Sequence, residues 1–443
     1  MIKVRFAPSP TGYLHIGNFR TALVNFLFAR NVNGHFMLRI DDTDQERSSL
    51  EYEEAIKEDL SWMSMNWDSL ERQSSRLSNY DDALETLLDK KRAYPCFETA
   101  EELSLKRKGQ LSSGKPPVYD RSALKLSDSD IADLKSKGKK AHYRFLLNHT
   151  DVNWDDLVKG PSKYNMSNLS DPVILREDRR VIYTLASVVD DIDFKVTDIL
   201  RGEDHMTNSA AQIQLFEALG SSAPRLGHLS LLTDISGSGL SKRLGSLSLR
   251  DLRQEGFEPM AISSLLSKVG TSDPIDIYKD IKKIIKEFDI KKFGKSKPKF
   301  DKNELSNLNS KFFQLMDYED VINKLKIMKL DMTKEFWYLI RGNIKILEDV
   351  KVWINVCFGN IPTKNIDGEF ISLALKLLPE DQFNENTWSI WTNLLKVESG
   401  KKGKDLYKPL RLCLTGQDNG PEMASLISIM GRDKVIERLS FDT

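Results

Sequence analysis

The sequence predicts an α/β protein: a doubly wound parallel sheet, split by an α+β insertion and followed by an all-α C-terminal domain. Three observations carry this expectation. Residues 4–18 read as a strand (Val4 to Ala7), a turn locked by Pro8, Pro10 and Gly12, and a helix opening near Gly17. Phe36 to Ile40 forms a second buried strand that ends at the acidic run Asp41, Asp42, Asp44, and carboxylates at the C-terminal end of a parallel strand lie where open α/β sheets bind ligands. Beyond Asn307 the apolar spacing is helical almost throughout, with segments rich in Leu, Ile and Trp.

The elements between follow in order. Residues 51–67 and 77–92 read as helices, the second with Leu77, Tyr80, Leu84, Leu87 and Leu88 on one face. From Glu98 to about Asn168 the chain turns Lys/Ser/Gly-rich, punctuated by Gly114-Lys115-Pro116-Pro117 and Lys135 to Lys140, with a strand-like piece from Ala141 to Leu147. This is the expected insertion. The sheet resumes with Val181-Ile182-Tyr183 and the strand Val196 to Leu200. A helix follows (Ala210, Ile213, Leu215, Phe216, Leu219), ended by Gly220, and then a strand from Leu229 to Leu232. Between Lys279 and Lys302 stand ten lysines against four acids, which predicts a lysine-rich amphipathic helix, either a solvated face or a patch that tracks phosphates.

At roughly 150 residues per domain, 443 residues imply about three domains. With 40% hydrophobic and 29% charged residues the composition is that of a globular chain. The start carries Lys3 and Arg5 in a strand rather than a signal-peptide core, and no stretch reaches transmembrane length, so a cytoplasmic protein without membrane contact is expected. Zero net charge decides nothing about nucleic acid. Cys96, Cys357 and Cys413 are too far apart for a disulfide framework or a four-ligand zinc cluster. His35, His142, His149 and His228 carry no assignable role.

The first turn offers backbone N–H groups and a positive helix end to an anionic phosphate. More than two hundred residues later, Gly239-Leu240-Ser241-Lys242-Arg243 offers a point charge and a planar fork suited to the same group. A phosphate site built from two distant halves is an active-site pattern. Around these halves stand Arg5-Phe6-Ala7-Pro8-Ser9-Pro10-Thr11-Gly12, Leu38-Arg39-Ile40-Asp41-Asp42-Thr43-Asp44, Gln73-Ser74-Ser75-Arg76, Val188-Val189-Asp190-Asp191 and Arg201-Gly202-Glu203-Asp204-His205. In this order the chain resembles the glutamyl-tRNA synthetases, bacterial type, a family of class I aminoacyl-tRNA synthetases with "HIGH" and "KMSKS" signatures. A weaker likeness, including Pro409-Leu410-Arg411 and Leu414-Thr415-Gly416, continues to the C-terminus.

The resemblance implies a Rossmann-like catalytic domain (1–95 and 181–236), an inserted acceptor-end-binding domain (96–180), a KMSKS-like loop with a tRNA stem-contact region (237–305) and a helical anticodon-binding domain (306–443). It implies ATP with Mg²⁺, L-glutamate, and tRNA(Glu), tRNA(Gln) or both, in a monomer. His15 and Lys242 would be catalytic. Pro8, Thr11, Gly12, His15, Gly17, Asn18, Asp204, His205, Leu240, Ser241, Lys242 and Arg243 would hold ATP. Arg5, Ala7, Ser9, Asp41, Tyr183, Ser187 and Arg201 would hold glutamate, with Arg5 and Arg201 as carboxylate forks and Asp41 as the ammonium partner. Lys291, Lys292, Lys295, Arg341 and Asn343 would touch tRNA. The chain departs from the family pattern at Asn18, at Gly239 in place of the first Lys of the second signature, at Asp41 in place of Glu, and at Ser187. Some relatives carry a Cys-rich zinc knuckle after the first half of the nucleotide fold; only Cys96 stands there, so no zinc is expected. Two alternatives are a tRNA-modifying glutamyl transferase paralogue and a catalytically weakened tRNA-binding paralogue.

Overall fold

The computed structural model describes residues 1–240, 247–362 and 367–440. It divides into two compact units: Met1–Arg253 with Ser263–Asp276 and Asp280–Asp301, and Gln254–Ile262 with Ile277–Lys279 and Lys302–Thr443.

In the first unit, β1 (Lys3–Phe6) leads through a turn into α1 (Ile16–Asn31), and β2 (His35–Ile40) returns parallel to β1. α2 (Leu50–Trp62) then crosses to β3 (Ser69–Arg72), parallel to β2. Five of six residues of β2 are buried, as expected of a parallel strand covered on both faces. α1 presents Phe19, Leu23, Val24, Phe26 and Leu27 to the core, and its Arg20 donates to the Ser230 and Val269 carbonyls (2.8 and 3.1 Å).

After α3 (Leu77–Asp89), β4 (Ala93–Cys96) opens the insertion. Its helices α4 (Ala100–Ser112) and α5 (Asp128–Ser136) start at capping boxes, Thr99/Glu102 and Ser127/Asp130. β5 (His142–Phe145) pairs antiparallel with β4 and with β8 (Val173–Leu175), while β6 (Asp151–Asp156) and β7 (Gly160–Asn165) form a separate hairpin. The chain then re-enters the parallel sheet through α6 (Tyr183–Asp193), β9 (Asp198–Gly202), α7 (Met206–Ala218) and β10 (Arg225–Leu229), with β9 parallel to β10. The Thr197 amide donates to the Lys3 carbonyl (2.9 Å), which sets β9 beside β1. Tyr80, Leu84 and Leu87 of α3 share a core with Leu185, Val188, Leu215 and Phe216 of α6 and α7.

Downstream lie α8 (Leu249–Gln254), α9 (Pro259–Lys268) and α10 (Ile281–Glu287). The second unit continues with α11 (Lys302–Leu315), α12 (Tyr318–Ile327), α13 (Lys334–Ile340), α14 (Val350–Phe358), α15 (Gly368–Lys376), α16 (Thr387–Ser399), α17 (Lys404–Thr415) and α18 (Met423–Ser440). Their common core is built on Trp337, Trp391, Leu410 and Leu426. Gly400 and Gly416 end α16 and α17 at φ +68° and +66°, where a side chain would be strained.

Three expectations are corrected. The strand placed at Leu229 to Leu232 is β10, Arg225–Leu229: Gly227 and His228, both buried, hide its apolar run. The helix placed over 51–67 stops at Trp62, because Ser64 adopts φ +57°. The lysine-rich segment is not one helix. α10 ends at Glu287, and Asp289 caps a separate 3₁₀ turn, Ile290–Lys292.

Candidate active site

The first turn is pinned to the end of β2. The Asp41 amide donates to the Pro8 carbonyl (3.0 Å), Ser49 N–H to Pro10 (3.1 Å) and Thr11 N–H to Ser9 (2.9 Å). Ala7, Pro8 and Gly12 are half-buried; Ser9, Thr11 and Asn18 are exposed. His15 caps α1, its Nδ1 accepting from Gly17 N–H at 3.1 Å. That bond fixes the tautomer: a neutral ring with Nδ1 accepting must carry its proton on Nε2. Nε2 is buried and finds no partner among the described residues, and burial pushes the ring pKa down, so a neutral donor is held at the helix start. A methyl on Gly17 would sit 3.4 Å from Nδ1, tighter than most such contacts.

The segment that follows the far half of the pattern, from Leu247, returns to the first turn. Ile16 N–H donates to Leu247 (3.0 Å), Leu249 N–H donates to Leu14 (3.0 Å), and His15 pairs antiparallel with Ser248. Leu240 is buried, and Gly239 pairs with Thr233. Ser241, Lys242 and Arg243 lie outside the described residues.

A charge cluster sits beneath this turn. Tyr183, Ser187 and Asp191 follow one another at four-residue spacing along one face of α6. Arg5 Nε reaches both oxygens of Asp191 (3.1 and 3.3 Å). Arg39, fully buried in β2, donates through Nε and Nη2 to Asp41 (2.7 and 3.1 Å), through Nη1 to Asp191 (2.8 Å) and through Nη2 to Ser187 (3.1 Å). Asp190 is bonded by Gln73, Arg76 and Tyr80 at 2.8–3.1 Å. Burial pushes Asp41 up to about 6, against the pull of Arg39. Arg5 keeps both Nη groups without a protein acceptor among the described residues.

Arg201, at the end of β9 and 5% exposed, is different. Its Nη1 donates to the Tyr183 hydroxyl (2.8 Å) and its Nη2 to Ser209 Oγ (2.6 Å) and Gln212 Oε1 (2.7 Å), all neutral groups, while Nε is buried without a partner among the described residues. No carboxylate meets it among the described residues. His205 stacks obliquely on Tyr183 at 5.6 Å, and burial, then Arg201, push its pKa down to about 4; Arg5 adds to the same effect, so both arginines act on one imidazole. Asp204 is exposed, 3.8 Å from His205 Nε2.

Arg39, Asp190, Asp191, Ser209 and Gln212 are the site groups that sequence reasoning left without roles. A signal was available for the first: an arginine inside an apolar strand, two residues before Asp41, shares a face with it. Further out, Lys291, Lys292 and Lys295 are exposed, Lys292 pairing with Asp273 at 3.0 Å. In the second unit Arg341 donates to the Met316 carbonyl (2.9 Å) and stacks on Tyr338 (4.4 Å), and Asn343 is exposed. Cys96 is buried against Tyr119, and burial pushes its thiol up to about 11.

A parallel sheet whose first turn and returning segment close on one neutral imidazole, beside buried arginines, has the form of a class I synthetase catalytic domain. Residues 1–307 match the family of class I tRNA synthetases (E and Q), catalytic domain, and residues 321–441 match the anticodon binding domain family; the chain belongs to the class I tRNA synthetases of the E and Q group. Similar curated proteins include glutamate–tRNA ligase 1 of Maricaulis maris, 48% identical over 441 residues and 99% of both chains. The glutamate–tRNA ligase of Azospirillum brasilense is 47% identical, covering 100% of this chain and 99% of its own. Among solved structures, a glutamate tRNA ligase from Elizabethkingia meningosepticum, in complex with its amino acid, matches with TM-score 0.84 and 26% identity over 99% of this chain and 98% of its own.

Proposed function

We infer that this chain is a glutamate–tRNA ligase that activates glutamate with ATP and transfers it to the 3′ end of tRNA in protein biosynthesis. One observation carries the choice of substrate: Arg201 is a buried guanidinium with only neutral partners, so a carboxylate supplied from outside would complete it. Arg5 presents its free Nη pair to the same region, and Asp41 supplies the negative charge for an ammonium group.

In the first step an oxygen of the α-carboxylate of glutamate attacks the α-phosphorus of ATP, the new P–O bond forms, and pyrophosphate leaves with the electron pair of the broken bond. His15 Nε2–H donates to a phosphate oxygen, and the N-terminus of α1 adds its partial positive charge. Lys242 neutralises the departing pyrophosphate, a role that rests on the sequence alone. Mg²⁺ carried by the phosphates would share that charge. In the second step a hydroxyl of the terminal tRNA adenosine attacks the carbonyl carbon and the ester C–O bond forms. The bond from that carbon to the phosphate oxygen breaks, and AMP leaves with the electron pair while the hydroxyl proton passes to its phosphate or to water. Pro8, Thr11, Gly12, Gly17, Asn18, Asp204, His205, Leu240, Ser241 and Arg243 are assigned to ATP, and Ala7, Ser9, Tyr183 and Ser187 to glutamate. The Tyr183 oxygen accepts from Arg201, which frees its own proton for the ligand.

We assign no zinc to the insertion, whose sequence carries the single cysteine Cys96 where a structural zinc site uses several Cys and His ligands. The exposed lysines 291, 292 and 295 and the Arg341–Asn343 region are assigned to tRNA(Glu), tRNA(Gln) or both, and the enzyme is proposed to act as a monomer. ATP–pyrophosphate exchange, run with and without tRNA, tests the reading. Glutamate-dependent exchange followed by ester formation on tRNA is expected; exchange without transfer to a 3′ end would mark a modifying paralogue, and no exchange a binding protein.

A further inference from the structure

The groups behind Arg201 form a directed chain. Asp156, at the end of β6, is held by four donors: the amides of Val158, Lys159 and His228 on Oδ1 (2.9–3.0 Å) and Trp154 Nε1 on Oδ2 (3.2 Å). Leu157 N–H donates to the Leu226 carbonyl (2.8 Å), and Gly227 allows this crossing, since a methyl there would meet Leu157 Cβ at 3.3 Å as well as a Leu200 methyl of β9 at 2.6 Å. So the insertion's hairpin is stitched to β10 at Leu226 and at His228 itself.

His228 is fully buried. Its Nδ1 bonds Asp156 Oδ2, and its Nε2 lies 2.7 Å from Ser209 Oγ. Asp156 can only accept, so Nδ1 carries the proton and Nε2 of the neutral ring accepts. The Ser209 hydroxyl has two acceptors in reach, His228 Nε2 at 2.7 Å and the His205 carbonyl at 3.1 Å; donating to the nearer one, it turns its lone pairs towards Arg201 Nη2 at 2.6 Å. Burial pushes the His228 pKa down, consistent with that neutral ring.

We propose that Asp156, His228 and Ser209 are positioning residues that fix the Arg201 guanidinium and so set the preference for glutamate over glutamine. The proposal rests on the glutamate reading above. A carboxylate in direct contact with Arg201 would orient it equally well but would cancel the charge that the ligand needs. Two neutral links, a hydroxyl and an imidazole, transmit the orientation imposed by Asp156 and leave the positive charge in place.

Ser209→Ala removes the central hydroxyl with little change in volume, so it is the primary variant; His228→Gln is the second. Exchange kinetics would be measured for glutamate, glutamine and ATP. Ser209→Ala should raise glutamate KM by at least about tenfold, as expected for one hydrogen bond to a charged group, narrow the glutamate-over-glutamine ratio by a similar factor, and leave ATP KM unchanged. His228→Gln should do the same, and the double variant should show little beyond either single change, since one chain is broken once. An unaltered ratio in folded Ser209→Ala, or equal losses for ATP and glutamate, would overturn the proposal. The unsubstituted enzyme tests the underlying reading separately: no preference for glutamate there removes both.

Discussion

Arg39 and Arg201 are both buried arginines of the parallel-sheet unit, and they are neutralised in opposite ways. Arg39 meets Asp41 and Asp191 directly, with Asp190 3.6 Å away, and each of its three nitrogens donates to a partner. Arg201 meets a tyrosine, a serine and a glutamine amide, and keeps its Nε unused. Taking a guanidinium out of water costs several kcal/mol unless a counter-charge is supplied. At Arg39 the fold supplies it, so that group is architecture: it ties β2 to α6 across about 150 residues of chain. At Arg201 the fold withholds it, and the deficit is what a carboxylate ligand can use. Charge balance, more than burial, separates the scaffold from the site.

The largest expected effect breaks the balanced centre. Arg39→Met leaves Asp41 buried without its partner and Asp191 with Arg5 alone, which should cost about 3–5 kcal/mol and lower the thermal midpoint on the order of 10 °C. Arg201→Met strands no carboxylate, so its midpoint in the absence of ligand should move by no more than a few degrees. Equal losses in parallel thermal denaturation would erase the distinction.

A pH series sharpens the same comparison at Asp41, where burial holds the carboxyl up to about 6. The ionised form is present above that value and is lost as pH falls through it. Glutamate KM should therefore be flat above about pH 7 and climb by up to about tenfold per unit below 6, while His205, pushed down to about 4, stays neutral through this range. Asp41→Asn should have a raised KM and no such limb. A limb that persisted in the variant would move the titration to another group.

The smallest effect concerns exposed cations at the surface. Replacing Lys291, Lys292 and Lys295 by Gln should flatten the slope of log K for tRNA against log salt by roughly 0.7–0.9 per lost phosphate contact, with ATP affinity unchanged. An unaltered slope would return these lysines to a solvated face.

The strand–turn–helix around His15 and the parallel strand at 36–40 were legible because their apolar periods are local, and so was β9, expected at 196–200 and found two residues later at Asp198–Gly202. β3 was not: Ser69-Leu70-Glu71-Arg72 is polar, and it is a strand because β2 offers it a partner. β10 was displaced because Gly227 and His228 serve a crossing and a hydrogen-bond chain rather than an apolar face. Arg201 could be singled out as a ligand-facing cation from its position after a buried strand. Its lack of a counter-charge could not, since Ser209, Gln212 and Tyr183 are brought to it by folding. In the same way, Asp190 and Asp191 stood in a recognisable word, yet their partners lie more than one hundred residues earlier.

The central claim is that Arg201 awaits the carboxylate that distinguishes glutamate. Glutamine offers an amide whose N–H groups face a donor-only side chain, so one of two bonds goes unmade. A hydrogen bond to a charged group is worth roughly 1.5–3 kcal/mol, or about 10–200-fold in preference. The direct measurement is kcat/KM for glutamate and for glutamine in ATP–pyrophosphate exchange by Arg201→Gln. The account predicts a steep rise in glutamate KM and a preference narrowed by that order, with ATP KM unchanged. A variant that kept its preference while losing ATP binding would place Arg201 in the nucleotide site and contradict the account.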